Sequence, residues 1–76
     1  MTEKTDRDIE QGYSTAQFVS KLRRLADALE QNRPFKIQIA GERISVPKSA
    51  IYTIEHEREE GLEEIEFQIK WSRRSP

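Results

Sequence analysis

The apolar residues of this chain change their period once, near residue 34. Phe18, Leu22, Leu25 and Leu29 recur at intervals of four, three and four, and Val19 and Ala26 widen the stripe. That spacing lines one face of a 3.6-residue helical repeat. Lys21, Arg23, Arg24 and Asp27 fall off the stripe and read as its wet side. Ser14, with Gln17 three residues on, forms a capping box, and Tyr13 and Phe18 fill the two positions of a hydrophobic staple. Pro34 lacks an N–H and disfavours helical geometry at the residue before it. Together these signals predict a helix over residues 15–31.

Beyond Pro34 the period is two. Phe35, Ile37 and Ile39 alternate with Lys36 and Gln38, and Ile44 and Val46 alternate with Arg43 and Ser45, which is strand patterning. A two-residue loop at Gly41-Glu42, with glycine first as in a type II′ turn, sets Ile39 opposite Ile44 and Ile37 opposite Val46. Pro47-Lys48-Ser49 breaks the pattern before a third strand at residues 50–58. The fourth strand, residues 63–71, alternates Ile65, Phe67, Ile69 and Trp71 with Glu64, Glu66, Gln68 and Lys70. A Glu60-Gly61 loop pairs Tyr52 with Ile69, Ile54 with Phe67, His56 with Ile65 and Ala50 with Trp71. The expected fold is α+β, an N-terminal amphipathic helix packed on a four-stranded antiparallel β-meander.

Residues 1–12 offer little apolar surface beyond Ile9 and read as a flexible charged tail. Residues 13–72 form the domain, and residues 73–76 read as a second flexible tail. At 76 residues a chain buries about 60% of the surface it exposes unfolded, so the core is thin. The absence of cysteine excludes a disulfide framework, a thiolate zinc site and a cysteine nucleophile. Thirteen basic residues against 14 acidic ones, a net charge of -1, argue against binding a polyanion. No stretch approaches the roughly 20 apolar residues of a membrane span, and the expected location is cytoplasmic.

Three segments together carry a resemblance: Leu25-Ala26-Asp27-Ala28-Leu29-Glu30, the Val46-Pro47 step, and the closing strand Leu62-Glu63-Glu64-Ile65-Glu66-Phe67-Gln68-Ile69-Lys70-Trp71. In that order and spacing, over residues 13–72, the chain resembles the amphi-Trp domain family, named for an amphipathic last strand ending in tryptophan. The resemblance implies a compact prokaryotic domain and supplies no catalytic residue, cofactor or metal.

His56 is the single histidine. Its strand neighbours Glu55 and Glu57 point to the other face, so it reads as a rim-packing side chain without a carboxylate or nucleophile partner, and not as a catalytic group or ligand. The polar face sets Glu55 against Glu66 and Glu57 against Glu64, an acidic patch for which Arg43 and Lys70 are the candidate counter-charges. A basic partner surface fits this patch better than a divalent cation, since no calcium-loop motif shapes it. Trp71 with Lys70, Arg73 and Arg74 forms a short basic-aromatic segment too weak for nucleic acid beside so many glutamates. Isolated glycines make no phosphate-binding loop. Four strands span about 15 to 20 Å while one helix covers about 10 to 12 Å, so part of the apolar face stays open. The expected function is therefore a non-enzymatic protein-interaction or self-association module, with a protein partner or homodimer formed around Ile65, Phe67, Ile69 and Trp71.

Overall fold

A computed structural model describes residues 6–73. Its elements are α1 (Thr15–Glu30), β1 (Phe35–Ile39), β2 (Glu42–Val46), β3 (Ile51–Glu59) and β4 (Leu62–Lys70). The fold class is α+β, one helix followed by two antiparallel hairpins.

The start of α1 is set by the capping box. Gln17 N–H donates to Ser14 Oγ at 3.2 Å, and Ser14 N–H donates to Gln17 Oε1 at 3.0 Å, which satisfies two of the donors that a helix N-terminus leaves free. At the other end Asn32 takes a left-handed φ of 57°. Its N–H donates to Leu29 O at 3.1 Å, and Arg33 N–H donates to Ala28 O at 2.8 Å, the paired bonds of a Schellman motif. Pro34 then prevents any continuation.

The first hairpin corrects the expected register. Ile39 pairs with Glu42, Ile37 with Ile44 and Phe35 with Val46, so the loop is Ala40-Gly41 and not Gly41-Glu42. Both loop residues have positive φ, 47° and 86°, as a type I′ turn requires, whereas glycine in first place would have made a II′ turn. The shift moves each partner by two residues, so the apolar residues keep a common face. The second hairpin has the expected register, with Tyr52 opposite Ile69, Ile54 opposite Phe67 and His56 opposite Ile65. Its Glu60-Gly61 loop repeats the two positive φ values, 43° and 85°.

The single four-stranded meander is not formed. β1 pairs only with β2 and β3 only with β4, giving two two-stranded sheets. The reason lies at the connection. Pro47 has no N–H to donate, and the Ala50 N–H is spent on Pro47 O at 3.2 Å within a tight turn. A β2–β3 ladder loses two donors next to the point where it would begin, and no pairing between β2 and β3 forms.

They meet only at a small node. Among the described residues, Ala28, Phe35, Val46 and Ala50 are the buried hydrophobic ones, with Leu25, Ile37, Ile69 and Trp71 packed against them. Arg24 braces this node from α1. Its guanidinium lies 5.3 Å from the centre of the Phe35 ring, and Nη2 donates to Lys36 O on the open edge of β1. Residues 6–14 have no regular secondary structure. Arg7 nevertheless pairs with Glu42 at 3.2 Å and donates to Ile39 O at 2.7 Å, while Gln11 Oε1 accepts from Ala40 N–H at 2.9 Å. The segment before the helix is thus fastened to the first hairpin's turn. Residues 1–5 and 74–76 of the expected tails lie outside the described residues.

Alanine and glutamate are poor occupants of left-handed backbone, which asparagine tolerates far better. Ala40→Asn and Glu60→Asn are each expected to raise stability by about 0.5–1 kcal/mol, read as a higher thermal midpoint with unchanged circular dichroism. A drop in midpoint for both would contradict the turn geometry.

Candidate interaction surface

The two faces of the β3–β4 hairpin differ in chemistry because a strand sends alternate side chains to opposite sides. Tyr52, Ile54 and His56 lie on one side opposite Ile69, Phe67 and Ile65. Glu55 and Glu57 lie on the other, opposite Glu66 and Glu64.

On the apolar side the burial expected for the fourth strand holds only at its C-terminal end. Ile69 and Trp71 pack against the node, but Ile54, Ile65 and Phe67 are 67%, 66% and 61% exposed. The cause is geometric. A nine-residue hairpin extends about 30 Å, and the helix that should cover it is anchored at Leu25 and Ala28, beside the node. The rest of the hairpin projects as an arm. Phe18, Leu22 and Leu29 on α1 are also exposed, at 51%, 36% and 41%. Of the four surface residues expected from sequence, Ile65 and Phe67 are therefore open and Ile69 and Trp71 are part of the packing. Tyr52 and Ile54 join the open row from the neighbouring strand, a consequence of the register that was visible in the sequence. An open groove of about 280 Å³, lined by Leu25, Phe35, Ile37, Ile44, Phe67 and Trp71 among others, runs between the hairpins. A second apolar groove, of about 310 Å³, lies between α1 and the arm at Leu29, Tyr52 and Ile54.

The polar side carries the expected acidic ladder. With no β2–β3 pairing, the group placed against Glu55 is neither Arg43 nor Lys70 but Gln68. The Gln68 amide nitrogen donates to Glu55 Oε1 at 2.9 Å and Glu66 Oε1 at 3.1 Å, and its carbonyl oxygen accepts from Thr53 Oγ1 at 2.8 Å. Further along, Glu57, Glu64 and Glu66 place carboxylate oxygens within 4.8 Å of one another. A hydrogen bond with Glu66 and repulsion by its charge push the Glu64 carboxyl above the usual carboxylate range, with smaller contributions from Glu57 and Glu10. Such a trio has the oxygen chemistry of a hard cation's ligands but none of the surrounding loop that shapes a tight site.

His56 does have a carboxylate partner. Its Nε2 lies 2.7 Å from Glu63 Oε1, diagonally across the ladder, and Arg58 Nε donates to the other Glu63 oxygen. Directly opposite residues alone did not reveal this, because long side chains also reach the diagonal neighbour. Arg58, then His56, holds the Glu63 carboxyl below the usual range. The cluster is exposed at the arm's tip, and no nucleophile adjoins it among the described residues. Of the basic-aromatic segment, Arg74 lies outside the described residues. Among the described residues no helix is long and apolar enough to cross a membrane.

The sequence model of the Amphi-Trp domain matches residues 1–76. The chain belongs to the Amphi-Trp domain family. The match takes in the charged segment before α1 and the residues after Trp71, beyond the 13–72 span that carries the resemblance in the sequence. No curated protein matches the chain, and no solved structure does. In this Amphi-Trp chain the amphipathic last strand is β4, which runs into the node at Trp71.

The direction of the Glu64 shift fixes a pH dependence. A carboxyl whose folded-state pKa is raised leaves stability intact below its ordinary range and reduces it as pH rises through the raised value. Glu57→Gln with Glu64→Gln is therefore expected to raise the thermal midpoint at pH 7, with the gain fading below about pH 4 and in high salt. A calcium- or magnesium-dependent rise in the wild-type midpoint, absent from the double variant, would instead make the trio an ion site.

Proposed function

We propose that this Amphi-Trp chain is a non-enzymatic interaction module whose working surface is the apolar side of the β3–β4 arm. One observation carries the reading. Ile54, Ile65 and Phe67 form a contiguous row on neighbouring strands, each more than 60% exposed, and soluble proteins keep such rows for contact with another molecule. A two-stranded hairpin is only marginally stable alone in water, so a covering partner also supplies order to the arm. Edge strands offer a second means of engagement, since β3 and β4 each leave one side of the ladder unpaired.

Enzymatic action has less support. The one histidine is engaged with Glu63 on an exposed tip, whereas acid–base chemistry calls for convergent groups in a water-excluding cavity. A cytoplasmic, prokaryotic setting is part of the same proposal. It draws on the cysteine-free, charge-balanced composition and on the family resemblance.

Trp71 packs against the node, so its removal would confound binding with folding, and substitutions on the open row are the cleaner test. In-cell photo-cross-linking from position 56 is expected to join the arm to another polypeptide. Ile65→Thr with Phe67→Thr is expected to abolish that adduct while protein level is retained. An adduct pattern unchanged by the double variant would refute the assigned surface.

A further inference from the structure

The arm's occupant can be named more closely, on the reading that its apolar side is a contact surface. We propose that this occupant is a second copy of the same chain, the two arms packing apolar side to apolar side about a twofold axis.

The first argument is area. The chain exposes 6959 Å², whereas a compact monomer of 9.0 kDa exposes about 4,900 Å². Polar residues ahead of α1 account for part of the excess. Its apolar part includes the row of Tyr52, Ile54, Ile65 and Phe67 together with Phe18 and Leu22 on α1, and also residues outside that group, among them Ile51 and Leu62 on the arm's other side. With large side chains of about 200 Å² each, between 36% and 67% exposed, the first six present on the order of 650 Å². That is near the lower end of what one partner contributes to a standard interface of about 1,200 to 2,000 Å² in total.

The second argument concerns what else is present to cover it. The residues outside the description, 1–5 and 74–76, contain Met1 as their only large apolar side chain, too little to bury the row. A second copy brings a matching one. A twofold contact needs a self-complementary patch, and an apolar row beside open apolar grooves meets that need: Ile54 and Phe67 of each arm enter the groove of the other. Charge does not oppose the pairing, because the net charge of each copy is -1, the acidic trio lies on the arm's other side, and the Arg58 and Glu63 charges at the tip of the contact side offset each other. Hairpins so stacked lie about 10 Å apart, the spacing of two packed sheets.

The test uses the full chain. Sedimentation of the wild type from 1 to 100 µM is expected to give a dimer. Ile54→Cys or His56→Cys is expected to be joined between chains by a short bismaleimide, which spans a sheet-to-sheet gap too wide for a direct disulfide, while Thr53→Cys, on the acidic side, is not. Phe67→Lys is expected to abolish the dimer, whether it leaves a folded monomer or an unfolded chain. A wild-type monomer at 100 µM, or equal cross-linking at positions 53 and 54, would overturn the second-copy assignment. An environment-sensitive apolar dye separates that failure from failure of the parent reading. A monomer that binds the dye, with binding lost in Ile65→Thr/Phe67→Thr, keeps the row as a surface for another partner, and a monomer that binds none removes both.

Discussion

The structure hangs on one point of close approach. Ala28 brings α1 near enough for Phe35 and Val46 to close over it, and Ala50 lets the start of β3 join the same contact. Two of these four residues are alanines, and the small side chain is what permits backbones from helix and hairpins to converge there. Beyond a few residues from the node the hairpins rest on ladder hydrogen bonds and on exposed side-chain pairs such as Arg7–Glu42 and His56–Glu63. The helix loses its cover toward Phe18 and Val19, and the second hairpin loses its own beyond Ile69.

The sequence displays the local features of the fold wherever chemistry within a few residues decides the outcome. Ser14 and Gln17 cap the helix because both partners lie within one turn. The Glu60-Gly61 loop sets the longer hairpin because nine alternating residues on each side leave one register that groups the apolar residues. The shorter hairpin was ambiguous. Five residues per strand accept two registers with the same faces, and the sign of φ at Ala40, which the sequence does not display, selects between them. The division into two sheets depends on the Ala50 N–H turning back to Pro47, a single bond that hydrophobic patterning cannot register. The openness of Ile54 and Phe67 follows from that division. The mismatch in width between one helix and four strands implies an uncovered rim, and separation of the hairpins makes it a whole row.

The two sides of the arm complement each other in effect. One is apolar and invites contact, and the other presents a ladder of glutamates tied together by the Gln68 amide. Like charges facing across strands weaken the hairpin slightly, yet they also oppose stacking of further chains on that side and crowd the open edges with charge. An association of the kind proposed for the apolar side would thereby be limited to one layer. The His56–Glu63–Arg58 cluster places opposite charges at the arm's tip, beside the exposed Leu62.

Trp71 occupies the joint where this arm leaves the body of the domain, neither fully enclosed nor free. Since the chain has no other tryptophan, its indole is an optical gauge built into that joint. Ultraviolet emission would respond to loosening at the arm's root, while the far-ultraviolet dichroism of the same sample is weighted toward α1. Comparing the two signals separates motion at the hinge from melting of the helix without attaching any label.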